Sequence, residues 1–353
     1  MSSPVAELKP PAKSGWQRDL AASITDAREL IEALGLPAEL IAPAQRAAQL
    51  FGLRVTRSFL ARMRPGDARD PLLRQVLPLG EELLESPGFV SDPLEEEAAR
   101  RAPQLLQKYA GRALLITTEA CGVHCRYCFR REFPYSAPQL GEGAGRFRAA
   151  LEAIAQDTSL EEVILSGGDP LSLSDARLRQ LTDALTANAH VKRLRIHTRQ
   201  PVVLPSRVDA GLLAWLRGIR VPVVVVLHLN HPNEIDDDFR AACAAMRAAG
   251  VTLLNQSVLL RGVNDDVETL QALSCAMFDA GVLPYYLHLP DRVRGTAHFD
   301  VDELRARELV DGLMGRLSGY LVPKLVREVP GAASKMPLPQ FITIPGFPEA
   351  TAG

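Results

Sequence analysis

Three of the chain's five cysteines fall within eight residues, in Cys121-Gly-Val-His-Cys125-Arg-Tyr-Cys128, a C-x3-C-x2-C spacing. Thiolates on so short a loop can converge on one metal centre. A structural zinc site closes a tetrahedron with four ligands, and with no fourth cysteine at a suitable local spacing His124 would have to complete it. A 4Fe–4S cluster also takes four ligands, normally cysteines; three supplied here would leave one iron open to an outside ligand. Three structural cysteines are the plain alternative. Cys243 and Cys275 lie in alanine-rich helical stretches and read as small core residues.

An open iron corner is what radical chemistry on S-adenosylmethionine requires. The methionyl amino and carboxylate groups fill the vacancy, and an electron passed into the sulfonium cleaves a carbon–sulfur bond. Ser166-Gly167-Gly168-Asp169-Pro170 follows the apolar run EEVIL. Glycines placed directly after a strand let the backbone approach a ligand closely; Gly167 and Gly168 would line the methionyl end.

The elements around these loops must present them together. Strand candidates are Ala113–Thr118, Glu162–Ser166, Arg193–His197, Val223–Leu229, Thr252–Val258 and Leu283–Leu289. Between them lie helix-like stretches over Ala144–Ala155, Asp175–Ala189, Asp209–Arg217, Asp237–Ala249 and Asp266–Ala280. Alternating strands and helices give βαβ units and a parallel sheet. Six units fit a doubly wound sheet or an incomplete TIM-like (β/α)6 barrel. The chemically loaded residues favour the α/β barrel: the cysteines, Gly167 to Asp169, His197, His228, Gln256 and Asp291 all stand at or just past strand ends, where barrel enzymes build their sites. Before the barrel, Ser23–Leu34, Ala42–Met63 and Asp92–Gln107 read as helices, the last kinked by Pro103. The expected division is a helical extension over 1–108, the barrel over 109–330 and a closing segment over 331–353.

Composition narrows the partners. Among 353 residues, 40 Lys+Arg balance 42 Asp+Glu, and basic runs are short, which argues against nucleic acid. The apolar run Val221–Leu229 is far below the roughly 20 residues needed to span a bilayer, and the N-terminus lacks a signal-peptide pattern. A cytoplasmic protein without a membrane partner is expected.

The stretches CGVHCRYCFRR, LSGGDPLSLSD, HTRQPVVLPSRV, HLNHPNEI, NQSVLLRGVND, PYYLHLPDRVRGTAHF and VPGAASKMPLP together resemble the lysine 2,3-aminomutases of the radical S-adenosylmethionine superfamily. Within that family CRYCFRR, the SKM after the glycine turn and the early end of the chain resemble the bacterial branch that makes β-lysine for translation elongation factor P. The resemblance implies an isomerase converting L-lysine to β-lysine, with a 4Fe–4S cluster, S-adenosylmethionine and pyridoxal 5′-phosphate as cofactors and a reducing electron donor. It also implies a functional link to elongation factor P and its lysyl ligase, and is compatible with a homo-oligomer. Residue by residue, it implies Cys121, Cys125 and Cys128 as cluster ligands and Lys335 as the lysine joined to pyridoxal phosphate. A Schiff-base lysine must be able to shed its proton, and the small residues of Gly331-Ala-Ala-Ser leave room beside it. Tyr109 and Arg112, with Lys108 beside them, would contact that cofactor, Arg112 through its phosphate. His228 and Gln256 would lie near the S-adenosylmethionine, with His197 and Arg199 at the same mouth. Arg130 would fork onto the substrate carboxylate, and Asp291 and Glu328 would hold the distal ammonium. The free-lysine branch has Asp where Glu328 stands. His231 and Glu234 read as loop stabilisers.

Overall fold

The computed structural model describes residues 15–135 and 145–338. The first fourteen residues of the expected extension, residues 136–144 (with Ala144, the start of one expected helix), and 339–353 of the closing segment lie outside the described residues.

Ten strands form one mixed α/β sheet whose spatial order is their chain order. They are β1 (Arg100–Ala102), β2 (Leu105–Tyr109), β3 (Arg112–Thr118), β4 (Glu162–Gly167), β5 (Arg193–Thr198), β6 (Val223–Leu227), β7 (Thr252–Val258), β8 (Leu283–His288), β9 (Lys324–Arg327) and β10 (Met336–Pro337). β3 to β9 pair in parallel, each with the next. β1 and β2 add an antiparallel hairpin at one end, and β10 pairs antiparallel with β9 at the other. The six strands expected from sequence are β3 to β8. The seventh parallel strand, β9, is short and was not anticipated.

Alternation along the strands sorts the chemistry. In β5, Leu194 and Ile196 are fully buried in the core while Arg195 and His197 face an interior cavity. In β7, Leu253, Asn255 and Ser257 are buried while Leu254, Gln256 and Val258 face that cavity. One face meets the helices and the other the cavity, as period-2 geometry dictates. Side-chain caps start the crossover helices: Ser174 accepts from Arg177 N, Asp209 from Leu212 N, Asp236 from Phe239 N and Asp266 from Thr269 N. Each satisfies a helix-end donor, worth about 1 kcal/mol.

The N-terminal residues differ from expectation in two places. Ser23–Leu34 gives the helix Ala27–Ala33, capped by Asp26. The long helix expected over Ala42–Met63 is two, Ile41–Leu50 and Arg57–Leu60, parted at Phe51, whose extended backbone ends the first. Thr56 caps the second. The helix expected over Asp92–Gln107 is absent. Turns precede β1, and Gln104 takes a left-handed φ of 64° after Pro103 to make the hairpin that delivers β2 to β3. Local helical spacing loses there to sheet pairing. A single apolar cluster runs from Trp16, Leu30, Phe59 and Leu72 into Leu115, Val163 and Ile196, so the early helices share the sheet's core.

Candidate functional site

A cavity of about 700 Å³ opens along the inner face of the sheet. It collects every residue expected to hold cofactor, cluster or substrate: Cys121, Cys125 and Cys128 after β3; Gly167 and Gly168 at the end of β4; His228 just past β6 and Gln256 on β7; Tyr109 at the end of β2 and Arg112 at the start of β3; Arg130; Asp291 past β8; Glu328 past β9; and Lys335 before β10. Lys108, His197 and Arg199 line it as well. His231 and Glu234 do not; the two form a capping box, with the Glu234 carboxylate accepting from Asn230 N and His231 N, in keeping with a loop role.

The cysteine loop hangs from the early helices. His124 N donates to Arg54 O at 3.0 Å and Arg126 N to Gln75 O at 2.9 Å. The buried Glu82 carboxylate accepts both Arg126 Nε (2.8 Å) and Arg131 Nη2 (2.6 Å). His124 turns from the cavity: its Nδ1 lies 2.9 Å from Gly52 O and its ring packs on Phe51. That speaks against a zinc site completed by His124. Among the described residues no three of His, Cys, Asp and Glu gather tightly enough for a single metal ion. Cys121, Cys125 and Cys128 all line the one cavity, which a cluster shared among three thiolates would require. Burial pushes the Cys121 and Cys128 thiols up, Cys128 to about 11, so metal binding must displace their protons.

The two glycines answer to a neighbour as well as to any ligand. A Cβ on Gly168 would stand 2.6 Å from Ala120 O, and one on Gly167, whose φ is +121°, 2.7 Å from Thr118 O. The β4 end thus presses on the backbone leading into Cys121. The buried Asp169 carboxylate then ties β4 to β5, accepting from Thr198 Oγ1 (2.7 Å), Arg199 N (2.7 Å) and Gln200 N (2.9 Å).

Beyond the cysteines the lining is a chain of alternating charges. Arg130 donates to both Glu96 oxygens, from Nε and Nη2 at 2.7 Å each, and its Nη1 reaches Ser166 Oγ at 3.1 Å. Burial would lower this guanidinium's pKa, but Glu96 outweighs that and raises it. Lys108 stands 3.6 Å from Glu96 and 3.0 Å from Glu328. Glu328 also pairs with Lys335. Burial would lift the Glu328 carboxyl, but the Lys335 and Lys108 ammonium groups hold it down at about 2. Asp291 behaves oppositely. Burial and the nearby Glu328 charge push it up to about 7, against the pull of Lys335 and Lys108. The Arg112 guanidinium lies 4.6 Å above the Tyr109 ring. His228 shares a 3.2 Å hydrogen bond with Gln256, and burial with the Arg199 and Arg130 charges drops it to about 3, so it is neutral.

Two of these groups escaped the sequence reading. Glu96 is masked by the acidic run Glu95-Glu96-Glu97, which looks like a solvated helix face. The left-handed φ of 50° at Glu95 turns Glu96 inward until it is 3% exposed. His288 escaped because only its place on the inner face of β8 marks it. The buried Nε2 atoms of His197 and His288 have no hydrogen-bond partner among the described residues. A cavity edged by such orphaned atoms, three lysines, four arginines and three thiols has the donor set for a bound anionic cofactor and an iron–sulfur cluster together.

No family model matches the chain. Curated relatives named L-lysine 2,3-aminomutase do. The protein from Escherichia coli (strain K12) is 49% identical over 335 residues, 95% of this chain and 97% of that protein. That from Haemophilus influenzae is 44% identical, covering 92% and 95%, and that from Clostridium subterminale 34% identical, covering 93% and 78%. The solved radical SAM enzyme coproporphyrinogen III oxidase from Escherichia coli overlays at a TM-score of only 0.38 and 12% identity, covering 66% of this chain and 56% of its own.

Proposed function

Because the chain belongs to the lysine 2,3-aminomutase family, we propose that it moves the amino group of L-lysine from C2 to C3, giving β-lysine. It is an isomerase that uses a 4Fe–4S cluster, S-adenosylmethionine and pyridoxal 5′-phosphate. The observation that carries the reading is the convergence on one cavity of the three cysteines, Arg130, the two carboxylates and Lys335. When bound, the cofactors supply a carbon radical and an electron sink; the protein's part is binding, orientation and exclusion of water.

In this reading Cys121, Cys125 and Cys128 would hold the 4Fe–4S cluster, and Gly167, Gly168, His228 and Gln256 would line the seat of S-adenosylmethionine. Lys335 carries pyridoxal phosphate, with Tyr109 beside it and Arg112 on the phosphate. Arg130 meets the substrate carboxylate along its outer edge while Glu96 fixes the other. Asp291 and Glu328 receive the distal ammonium: Glu328 is already charged, and Asp291 surrenders its proton as the cation arrives. The neutral His228 adds no charge to repel a sulfonium. Leu114, Ile164, Leu254 and Val326 on the walls keep water from a reactive carbon.

Strands that follow one another without a reversal of order support an incomplete (β/α)6 barrel over 109–330 rather than a doubly wound sheet, whose order reverses at a switch point. Among the described residues, the short helices before β1 and the β1–β2 hairpin flank it on one side, and the segment leading into β10 on the other. The CRYCFRR and SKM stretches favour β-lysine destined for elongation factor P and its lysyl ligase, which would place the protein in the cytoplasm; no described helix is long and apolar enough to cross a membrane. Arg130 and the paired acids favour free L-lysine as substrate.

The test is anaerobic reconstitution, incubation with L-lysine and a low-potential reductant, and detection of β-lysine by mass spectrometry. 5′-Deoxyadenosine without β-lysine would redirect the reading to another substrate, and neither product would sink it.

A further inference from the structure

Arg199 is the first residue past β5, and the fold holds its backbone N and both Nη atoms, while its buried Nε has no hydrogen-bond partner among the described residues. Its backbone N donates to Asp169 Oδ2. Its Nη1 donates to Cys125 Sγ at 2.9 Å and Tyr127 OH at 2.7 Å. Its Nη2 donates to Gln75 Oε1 at 2.6 Å and Glu234 Oε2 at 3.0 Å. The guanidinium lies over the rings of Phe59 and Tyr127, at 5.4 and 5.6 Å. The second row is fixed in turn: Asn230 Nδ2 donates to both Gln75 Oε1 (3.0 Å) and Tyr127 OH (2.7 Å), and Glu234 accepts from Gln75 Nε2 at 3.1 Å. Arg199 is 5% exposed and Glu234 fully buried. Among the described residues, Cys125 is the cluster cysteine whose sulfur receives a guanidinium.

Nothing in a substrate clamp or a pyridoxal site calls for this. Hydrogen bonds to sulfur, net charge and solvent exposure set the reduction potential of an iron–sulfur cluster. We infer that Arg199 and Glu234 form a charge pair that sets the potential of the cluster held by Cys125, the arginine raising it and the glutamate holding it back. This rests on the proposed cluster. The step concerned is the transfer of one electron from an external low-potential reductant to the cluster. The cluster gains one negative charge, no bond breaks and no proton need move. A cation on a ligating thiolate stabilises the reduced form more than the oxidised one. Glu234, on the far edge of the same planar fork, offsets part of that.

The inference predicts opposite shifts from the two partners. Wild-type, Arg199→Gln and Glu234→Gln proteins are reconstituted anaerobically, and the reduced cluster is titrated with dithionite and followed by electron paramagnetic resonance. In Arg199→Gln the ratio of reduced to oxidised cluster at fixed potential falls at least tenfold, a shift of about 59 mV for one electron. In Glu234→Gln that ratio rises. Arg199→Lys, which keeps the charge but not the fork, lies between wild type and Arg199→Gln. Shifts in the same direction, no shift in either, or loss of the cluster from both would overturn the inference and leave Arg199 a structural residue. A wild-type protein that takes up no cluster would instead overturn the proposed function.

Discussion

Asp291 is held in a state the unfolded chain would not choose, and replacing it with asparagine measures the cost. Its carboxyl is pushed up to about 7 from an ordinary 3.8. Between these values the folded protein binds a proton that the unfolded chain releases, so stability falls as pH rises through that window. At about 1.4 kcal/mol per unit, the full penalty above pH 7 is roughly 4 kcal/mol, an upper bound because water can enter the cavity. By pH 5 little more than 1 unit has been crossed, for a cost of roughly 1.5 kcal/mol. Asp291→Asn therefore stabilises the ligand-free protein relative to wild type by about 2–3 kcal/mol more at pH 8 than at pH 5. Urea midpoints of both proteins at both pH values give the difference. An advantage for the variant that does not grow with pH would refute the assignment of a strained, raised carboxyl. The same substitution removes one of two carboxylates from the distal ammonium, and kcat/KM for L-lysine falls about 10- to 100-fold.

Three other changes probe the rest of the cavity. Glu96→Gln leaves Arg130 buried without its counter-charge and lowers stability by about 3–5 kcal/mol in thermal unfolding, whereas Glu96→Asp costs less. Gly168→Ala forces a Cβ to within 2.6 Å of Ala120 O; the shift this demands costs about 1–3 kcal/mol and lowers the iron content of reconstituted protein. Lys335→Ala abolishes the imine absorbance of protein soaked in pyridoxal phosphate but leaves iron content unchanged, since Lys335 pairs with Glu328 and not with the cysteine loop.

The parts legible in sequence were those whose chemistry is local. Cys121, Cys125 and Cys128 share one loop, and β3 to β8 announce themselves by short apolar runs. The invisible parts depend on long-range closure. Glu96 meets Arg130 only because a left-handed turn reverses the chain, and Gln75 reaches Arg199 only because the early helices share the sheet's core. The β1–β2 hairpin hid behind helical spacing because Pro103 and Gln104 make a turn whose value lies in the partner strand β3. Glu328 was found by resemblance alone, since β9, which ends one residue before it, is four residues long.

The way the cysteine loop is suspended has a consequence for the early helices. Arg54, Gln75 and Glu82 grip it through His124, Arg126 and Arg131, so the loop and the early helices are moored to each other. Whatever loosens the cysteine loop therefore also slackens the described stretch from Ile41 to Leu83, and the protection of backbone amides there against hydrogen exchange reports on the state of the loop.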